Sequence, residues 1–168
     1  MSINSKFKML VLSLDGAHDD QLQKIYDLNQ ANTPEVGSLE SIDYLHKLIE
    51  LSAYNLLVLK GDEIIGFIIC MREGSAYGSE NYKFFTKKLK KFLYVDRVAI
   101  DVRHRREGLG QSIYEDIFKL AKKENLPIAV EVNTQPINQP SLDFHQKMGF
   151  DQVGVKDFDD HSVAYFIK

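Results

Sequence analysis

The chain predicts a mixed, mostly antiparallel sheet flanked by helices. Three observations carry this. Segments with strand and helix periodicity follow the order βααββ, βα, βα, ββ. Short turn signals join several strands as hairpins, and parallel connections are few. The 168 residues are 44% hydrophobic and 27% charged, enough for one globular domain, residues 1–168, with its own core.

Lys8 to Leu14 (KMLVLSL) reads as the first strand. Ala17 to Gln30 reads as a helix, with Asp19 and Asp20 at its positive end and Leu22, Ile25 and Leu28 on one face. The loop NQANTPEVG precedes a second helix over Ser38 to Leu51, where Leu39, Ile42, Leu45, Leu48 and Ile49 keep helical spacing. Tyr54 to Lys60 and Glu63 to Met71 form a hairpin across Gly61-Asp62. The second of these strands is apolar on both faces, as a central strand is. Gly74 to Lys91 (GSAYGSENYKFFTKKLKK) reads as a long loop with at most a helical turn.

Phe92 to Asp101 is the fourth strand, Gly108 to Asn125 a helix and Pro127 to Asn133 the fifth strand. Pro140 to Met148 is a short helix, opened by Pro140 and stopped by Gly149. Phe150 to Phe158 and Ser162 to Ile167 form a final hairpin. The sum is seven strands and four helices.

Composition excludes several classes of function. A net charge of −3 argues against a nucleic-acid binder, despite the local run RHRR. No apolar stretch approaches the roughly 18 residues that span a bilayer, so no membrane partner is expected. The lone Cys70 lies in an apolar run and reads as a reduced core thiol. The N-terminal stretch lacks a signal-peptide cleavage pattern, and a cytoplasmic location is the default expectation. His18, His46, His104, His145 and His161 are scattered without metal-ligand spacing, so no metal is expected.

The chemistry-bearing stretch is RHRREGLG, Arg103 to Gly110, at a strand-to-helix junction. The first amides of a helix lack internal partners and carry partial positive charge. Glycine lets an anion approach that backbone. A diphosphate is therefore expected on the backbone of Arg106, Glu107, Gly108, Leu109, Gly110 and Gln111, with Arg103, His104, Arg105 and Arg106 supplying charge. A P-loop is excluded because no G-x-x-x-x-G-K-[ST] occurs. A dinucleotide fingerprint is excluded because its third glycine position holds Ile113.

Arg105, Gly108 and Gly110 fill the pattern [QR]-x-x-G-x-[GA], which resembles the acetyl-CoA signature of the GNAT superfamily of N-acetyltransferases. The preceding DRVAID resembles the fourth strand of that family. NQPSLDFHQKMGF, Asn138 to Phe150, is similar to its downstream motif. The element order is GNAT-like from Lys8 to the C-terminus. A narrower likeness is to a group of uncharacterised bacterial predicted acetyltransferases. The resemblance implies acetyl-CoA as cosubstrate and an amine acceptor, small molecule or peptide. It also implies a domain of a kind that often dimerises.

It further implies that the fourth and fifth strands splay, so that Val98 and Ile100 present backbone groups to the pantetheine arm. Asn138 matches a cofactor-bonding position, with Ser141 one turn on. The tyrosine that many members use to protonate the thiolate is His145 here. Histidine can also donate a proton, and packing beside Phe144 is the competing role.

Asp96 and Glu131 are the candidate bases, with water as the alternative. Asp96 shares strand parity with Val98 and Ile100 unless a bulge intervenes. Glu131 is the lone acid of an apolar strand, where burial raises its pKa. Tyr77, Tyr82 and Tyr94 are candidate acceptor-pocket residues. The expected activity is direct acetyl transfer to a primary amine. The alternative is a CoA-binding module without catalysis.

Overall fold

The computed structural model describes residues 2–3, 7–11 and 19–168. Strand β1 (Ser2–Ile3) and β2 (Phe7–Val11) precede helices α1 (Asp19–Gln30) and α2 (Ile42–Leu51). The hairpin β3 (Tyr54–Lys60) and β4 (Glu63–Arg72) leads to α3 (Glu80–Lys88). Then come β5 (Leu93–Ile100), α4 (Leu109–Glu124), β6 (Ile128–Gln135), α5 (Gln139–Lys147), β7 (Asp151–Asp157) and β8 (Ser162–Ile167). The strands lie in the order β1-β2-β3-β4-β5-β6-β8-β7. With the two-residue β1 set aside, seven strands remain, as expected, and the expected fourth and fifth are β5 and β6. All neighbours are antiparallel except β5 and β6.

Helices cover both faces. Ile113, Tyr114, Ile117 and Ala121 of α4 pack with Leu142 and Phe144 of α5 against Val58, Ile68, Val95 and Val130. Across the sheet, Leu22, Ile25 and Leu28 of α1, Leu45, Leu48 and Ile49 of α2, and Tyr82 and Phe85 of α3 pack against Phe67, Ile69, Tyr94 and Tyr165.

Two expectations are corrected. The segment read as a loop holds α3, a nine-residue helix capped by Ser79, whose side chain accepts from the Tyr82 amide. Glu80 in its first turn and Lys87 and Lys88 in its last complement the helix dipole. The expected second helix loses its first turn and starts at Ile42, with Ser41 as its N-cap. Leu39 is held outside the helix, its amide donating to Gln30 Oε1 and its carbonyl accepting from Tyr26 Oη. Residues 12–18, which include the expected end of the first strand, lie outside the described residues.

One seam of the sheet is short. β5 and β6 pair only at Leu93–Ile128 and Tyr94–Ala129, then separate. On its other side β5 follows β4 from Arg72–Leu93 to Gly66–Ile100. The register there shifts between Ile69–Arg97 and Cys70–Val95, which leaves Asp96 as the extra residue of a bulge.

Candidate active site

The open seam leads into a cleft of about 1070 Å³. One wall is the turn from β5 to α4. Gly108 caps α4 at φ 76°, and no side chain caps the helix. The first turn-closing bond runs from Ser112 N to the Gly108 carbonyl, so the amides of Leu109, Gly110 and Gln111 have no helical acceptor. A Cβ built on Gly108 meets nothing within 4 Å, and one on Gly110 meets only Phe144 at 3.9 Å. The space over these amides is open to an anion. Arg105 and Arg106 line the same wall, and the turn therefore fits a diphosphate. Arg105 also reaches sideways, donating to Asn32 Oδ1 at 2.8 Å.

Val98 and Ile100 line the cleft beyond the point where β6 departs. Among the described residues no strand pairs with that edge of β5, so it can accept an extended ligand as a strand would. Asn138 and Ser141 line the cleft from the start of α5. Asn138 Oδ1 accepts from the Ser141 amide, so this side chain caps the helix. Glu107 forms no part of the cleft lining; it lies 3.8 Å from Lys60 Nζ in an ion pair. Its side chain faces β3, and only its backbone belongs to the turn.

The bulge redirects Asp96. The expected parity with Val98 and Ile100 fails because the extra residue puts Asp96 beside Tyr77 and Tyr94, on the α1–α3 face of the sheet. Its side chain is 5% exposed, and Oδ2 lies 3.3 Å from Arg97 Nε, an ion pair without a hydrogen bond. Burial raises the Asp96 carboxyl above its ordinary value, and Arg97 opposes that rise.

Glu131 on β6 lies within the same network. Its Oε1 accepts from Tyr94 Oη at 2.9 Å and from Asn81 Nδ2 at 3.3 Å. Asn81 Oδ1 in turn accepts from Tyr165 Oη at 2.8 Å. Glu131 Oε2 is buried without a partner. Burial, reinforced by the charge of Asp96, pushes the Glu131 carboxyl up to about 8. Such a carboxyl exchanges its proton near neutral pH, as a general base should. Asn81 and Tyr165 could not be singled out from the sequence. Asn81 sits on the helix that reads as a loop, and Tyr165 reaches it from the far end of the chain.

The three tyrosines part company. Tyr77 lines the cleft. Tyr94 is fully buried and touches the site by its hydroxyl's hydrogen bond to Glu131. Tyr82 is not at the acceptor pocket: it is 2% exposed, with its hydroxyl donating to the Arg72 carbonyl and accepting from the Ser75 amide. It ties down the segment between β4 and α3.

His145 is 5% exposed, enclosed by Tyr114, Phe144, Phe150 and Phe166. Nδ1 donates to the Ser141 carbonyl at 2.8 Å, and Nε2 accepts from Tyr114 Oη at 2.7 Å. Burial lowers its pKa below the usual histidine value. The neutral ring thus has no free proton to give a departing thiolate, which corrects the expected acid role. Its partner Tyr114, on α4, carried no sequence signal because it falls on the helix's core-facing stripe. Among the described residues, no cluster of three metal-ligating side chains forms, and no helix is long and apolar enough to cross a membrane.

Solved structures share this architecture. A chain of the NatC complex bound to Gag peptide and CoA is 15% identical, with 96% of this chain and 97% of that one covered at a TM-score of 0.71. The ribosomal-protein-S18-alanine N-acetyltransferase of Escherichia coli is 13% identical, covering 96% and 92% at 0.69. A GNAT family acetyltransferase from Elizabethkingia anophelis with acetyl-CoA bound is 12% identical, covering 97% of each chain at 0.66. No curated protein sequence matches the chain. The model of the acetyltransferase (GNAT) family matches residues 22–150, a span that includes the open seam, the glycine turn and both buried carboxylates, and the chain belongs to the GNAT acetyltransferase family.

Proposed function

We propose that this protein is an acetyl-CoA-dependent N-acetyltransferase that acts on primary amines by direct attack, with Glu131 as the base. The observation that carries the reading is one cleft with two ends. At one end stand the unpartnered amides of α4, and at the other a buried carboxylate with a free oxygen. The presence of acetyl-CoA or CoA in the Elizabethkingia and NatC structures supports the choice of acyl donor.

The diphosphate sits on the amides of Leu109, Gly110 and Gln111 with Arg105 and Arg106 beside it, and the pantetheine arm runs along the free edge of Val98 to Ile100. This fixes the thioester carbonyl at the gap between β5 and β6. An amine arriving as an ammonium gives its first proton to Glu131, which passes it to solvent. The nitrogen attacks the carbonyl carbon, and the backbone amide near Val98 meets the developing oxyanion. The C–N bond forms and the C–S bond breaks. The second nitrogen proton ends, through water, on the CoA thiolate. Asp96 holds the electrostatic environment of Glu131, and His145 fixes α5 against α4.

The test is CoA release from acetyl-CoA across a panel of primary amines. Amine-dependent release is expected. Tight CoA binding with no release for any amine would favour a non-catalytic CoA-binding module.

A further inference from the structure

The basic run Arg103 to Arg106 divides in two. Arg103 is neutralised: its guanidinium lies 2.7 Å from Asp101 Oδ2 and 2.8 Å from Glu63 Oε1, and it forms no part of the cleft lining. Two arginines elsewhere meet carboxylates as well. Arg72 pairs with Glu73 and Glu124, and Arg97 lies 3.3 Å from Asp96. Arg105 and Arg106 differ. Both line the cleft, and among the described residues neither has a carboxylate within ion-pair distance. Of the two, Arg105 is tethered, and its partner is a neutral amide: Nη2 donates to Asn32 Oδ1 at 2.8 Å.

Asn32 follows α1 and is 7% exposed. Its side-chain nitrogen donates to the Leu28 carbonyl at 2.7 Å. A carbonyl only accepts, so the side-chain oxygen is the atom left to face Arg105. The backbone is held too. The Asn32 amide donates to the Asn29 carbonyl at 2.9 Å, and its carbonyl accepts from the Val36 amide at 3.0 Å. A fixed acceptor thus stands beside the guanidinium, and it carries no charge.

The amide matters. A carboxylate here would grip Arg105 more tightly, but it would cancel the charge and repel an anion on the nearby helix amides. A neutral oxygen fixes the side chain through one nitrogen. The full charge and the remaining N–H groups stay available to a ligand. Holding the arginine in advance also removes rotamer freedom that a loose one would lose on binding.

We infer that Asn32 is a positioning residue for the cosubstrate: its uncharged oxygen holds Arg105, charge intact, where the diphosphate of acetyl-CoA binds. The inference rests on the acetyl-CoA reading above. It adds to the diphosphate turn a residue 73 positions earlier, from the helix layer on the opposite face of the sheet.

The test is calorimetric titration of CoA into the wild type, Asn32→Ala, Asn32→Asp, Arg105→Ala and the double variant Asn32→Ala, Arg105→Ala. Asn32→Ala should weaken CoA about three- to tenfold, as loss of a hydrogen bond to a charged group does. In the Arg105→Ala background the same change should cost less than about twofold, because the residue it acts through is gone. An Asn32 that only braces the loop would cost the same in both backgrounds, and that result overturns the inference. Asn32→Asp keeps the volume and tests the charge. It should weaken CoA at least about tenfold, more than Asn32→Ala does, with a gap from wild type that narrows as salt rises. Binding by Asn32→Asp as tight as wild type overturns the inference and leaves CoA binding intact. If the wild type binds no CoA, the cosubstrate reading fails, and inorganic pyrophosphate takes its place in the same titrations. Pyrophosphate binding that Asn32→Asp weakens upholds the role of Asn32; binding that is unweakened or absent overturns it.

Discussion

Glu73 and Glu131 stand near opposite ends of one seam, and their carboxyls move in opposite directions. Glu73 follows β4 where β5 and β6 are still paired. Two nitrogens of Arg72 donate to it at 2.8 and 2.9 Å, and the Phe92 amide donates at 3.2 Å. These bonds, Arg72 first, pull its carboxyl down to about 2. Arg72 also pairs with Glu124, which accepts from Tyr54, so this end is a satisfied network. Glu131 stands where the strands have parted, and burial pushes it to about 8 with one oxygen unbonded. The same residue type is held ionised where donors converge and is pushed up where burial outweighs the donors it has.

The comparison can be broken at either end. The largest effect is expected from Glu131→Gln, which should lower kcat roughly 10²- to 10⁴-fold, the usual worth of a general base. In the wild type, kcat/KM should climb as pH rises toward about 8, where Glu131 loses its proton. A variant with unaltered kcat and pH profile would hand the deprotonation to water.

Next in size is Gly108→Val. A branched residue at φ 76° is strained and fills the space above the free amides. CoA binding should fall at least about tenfold, read as loss of the CoA-induced rise in Tm. Normal CoA binding would move the diphosphate elsewhere.

The smallest effects are on stability, with opposite signs of pH dependence. Glu131 has a raised folded pKa, so ionising it opposes folding as pH rises from its unfolded value through about 8. Glu131→Gln should therefore melt higher than wild type at pH 9, by about 2–4 °C for each kcal/mol relieved, and the gain should vanish near pH 4. Glu73 has a lowered folded pKa. Its contribution is full above the unfolded value and is lost as pH falls toward about 2. Glu73→Gln should lower Tm by about 1–4 °C at neutral pH, a figure discounted for its partial exposure, and by less in acid. The same sign for both variants would show that the two ends are not set apart as described.

The glycine turn and the order of elements were legible because they are local. Glycine at a left-handed cap, helical periodicity and hairpin turns leave their mark within a few residues. Asp96 was half legible: its identity stood out, but a bulge depends on the partner strand, and no property of DRVAI announces that Cys70 pairs with Val95. The helix α3 was hidden because its buried positions, Tyr82 and Phe85, sit among lysines and follow a run rich in glycine and serine. His145 misled for the opposite reason. The motif around it is local, but the group that occupies its Nε2 arrives from α4, 31 residues earlier.

The short seam has a further meaning for how the molecule holds together. Strands β1 to β5 and strands β6 to β8 form two sub-sheets stitched by only two residue pairs, Leu93–Ile128 and Tyr94–Ala129. Elsewhere the halves meet through helices and side chains. A ligand lying in the gap would supply the missing stitches, and in the proposed reading the cosubstrate is mortar between two blocks of one sheet. Opening of one block away from the other is then a cheaper fluctuation than melting either. On the proposed reading the acetyl donor fills the gap, and its supply would then set how often that opening happens.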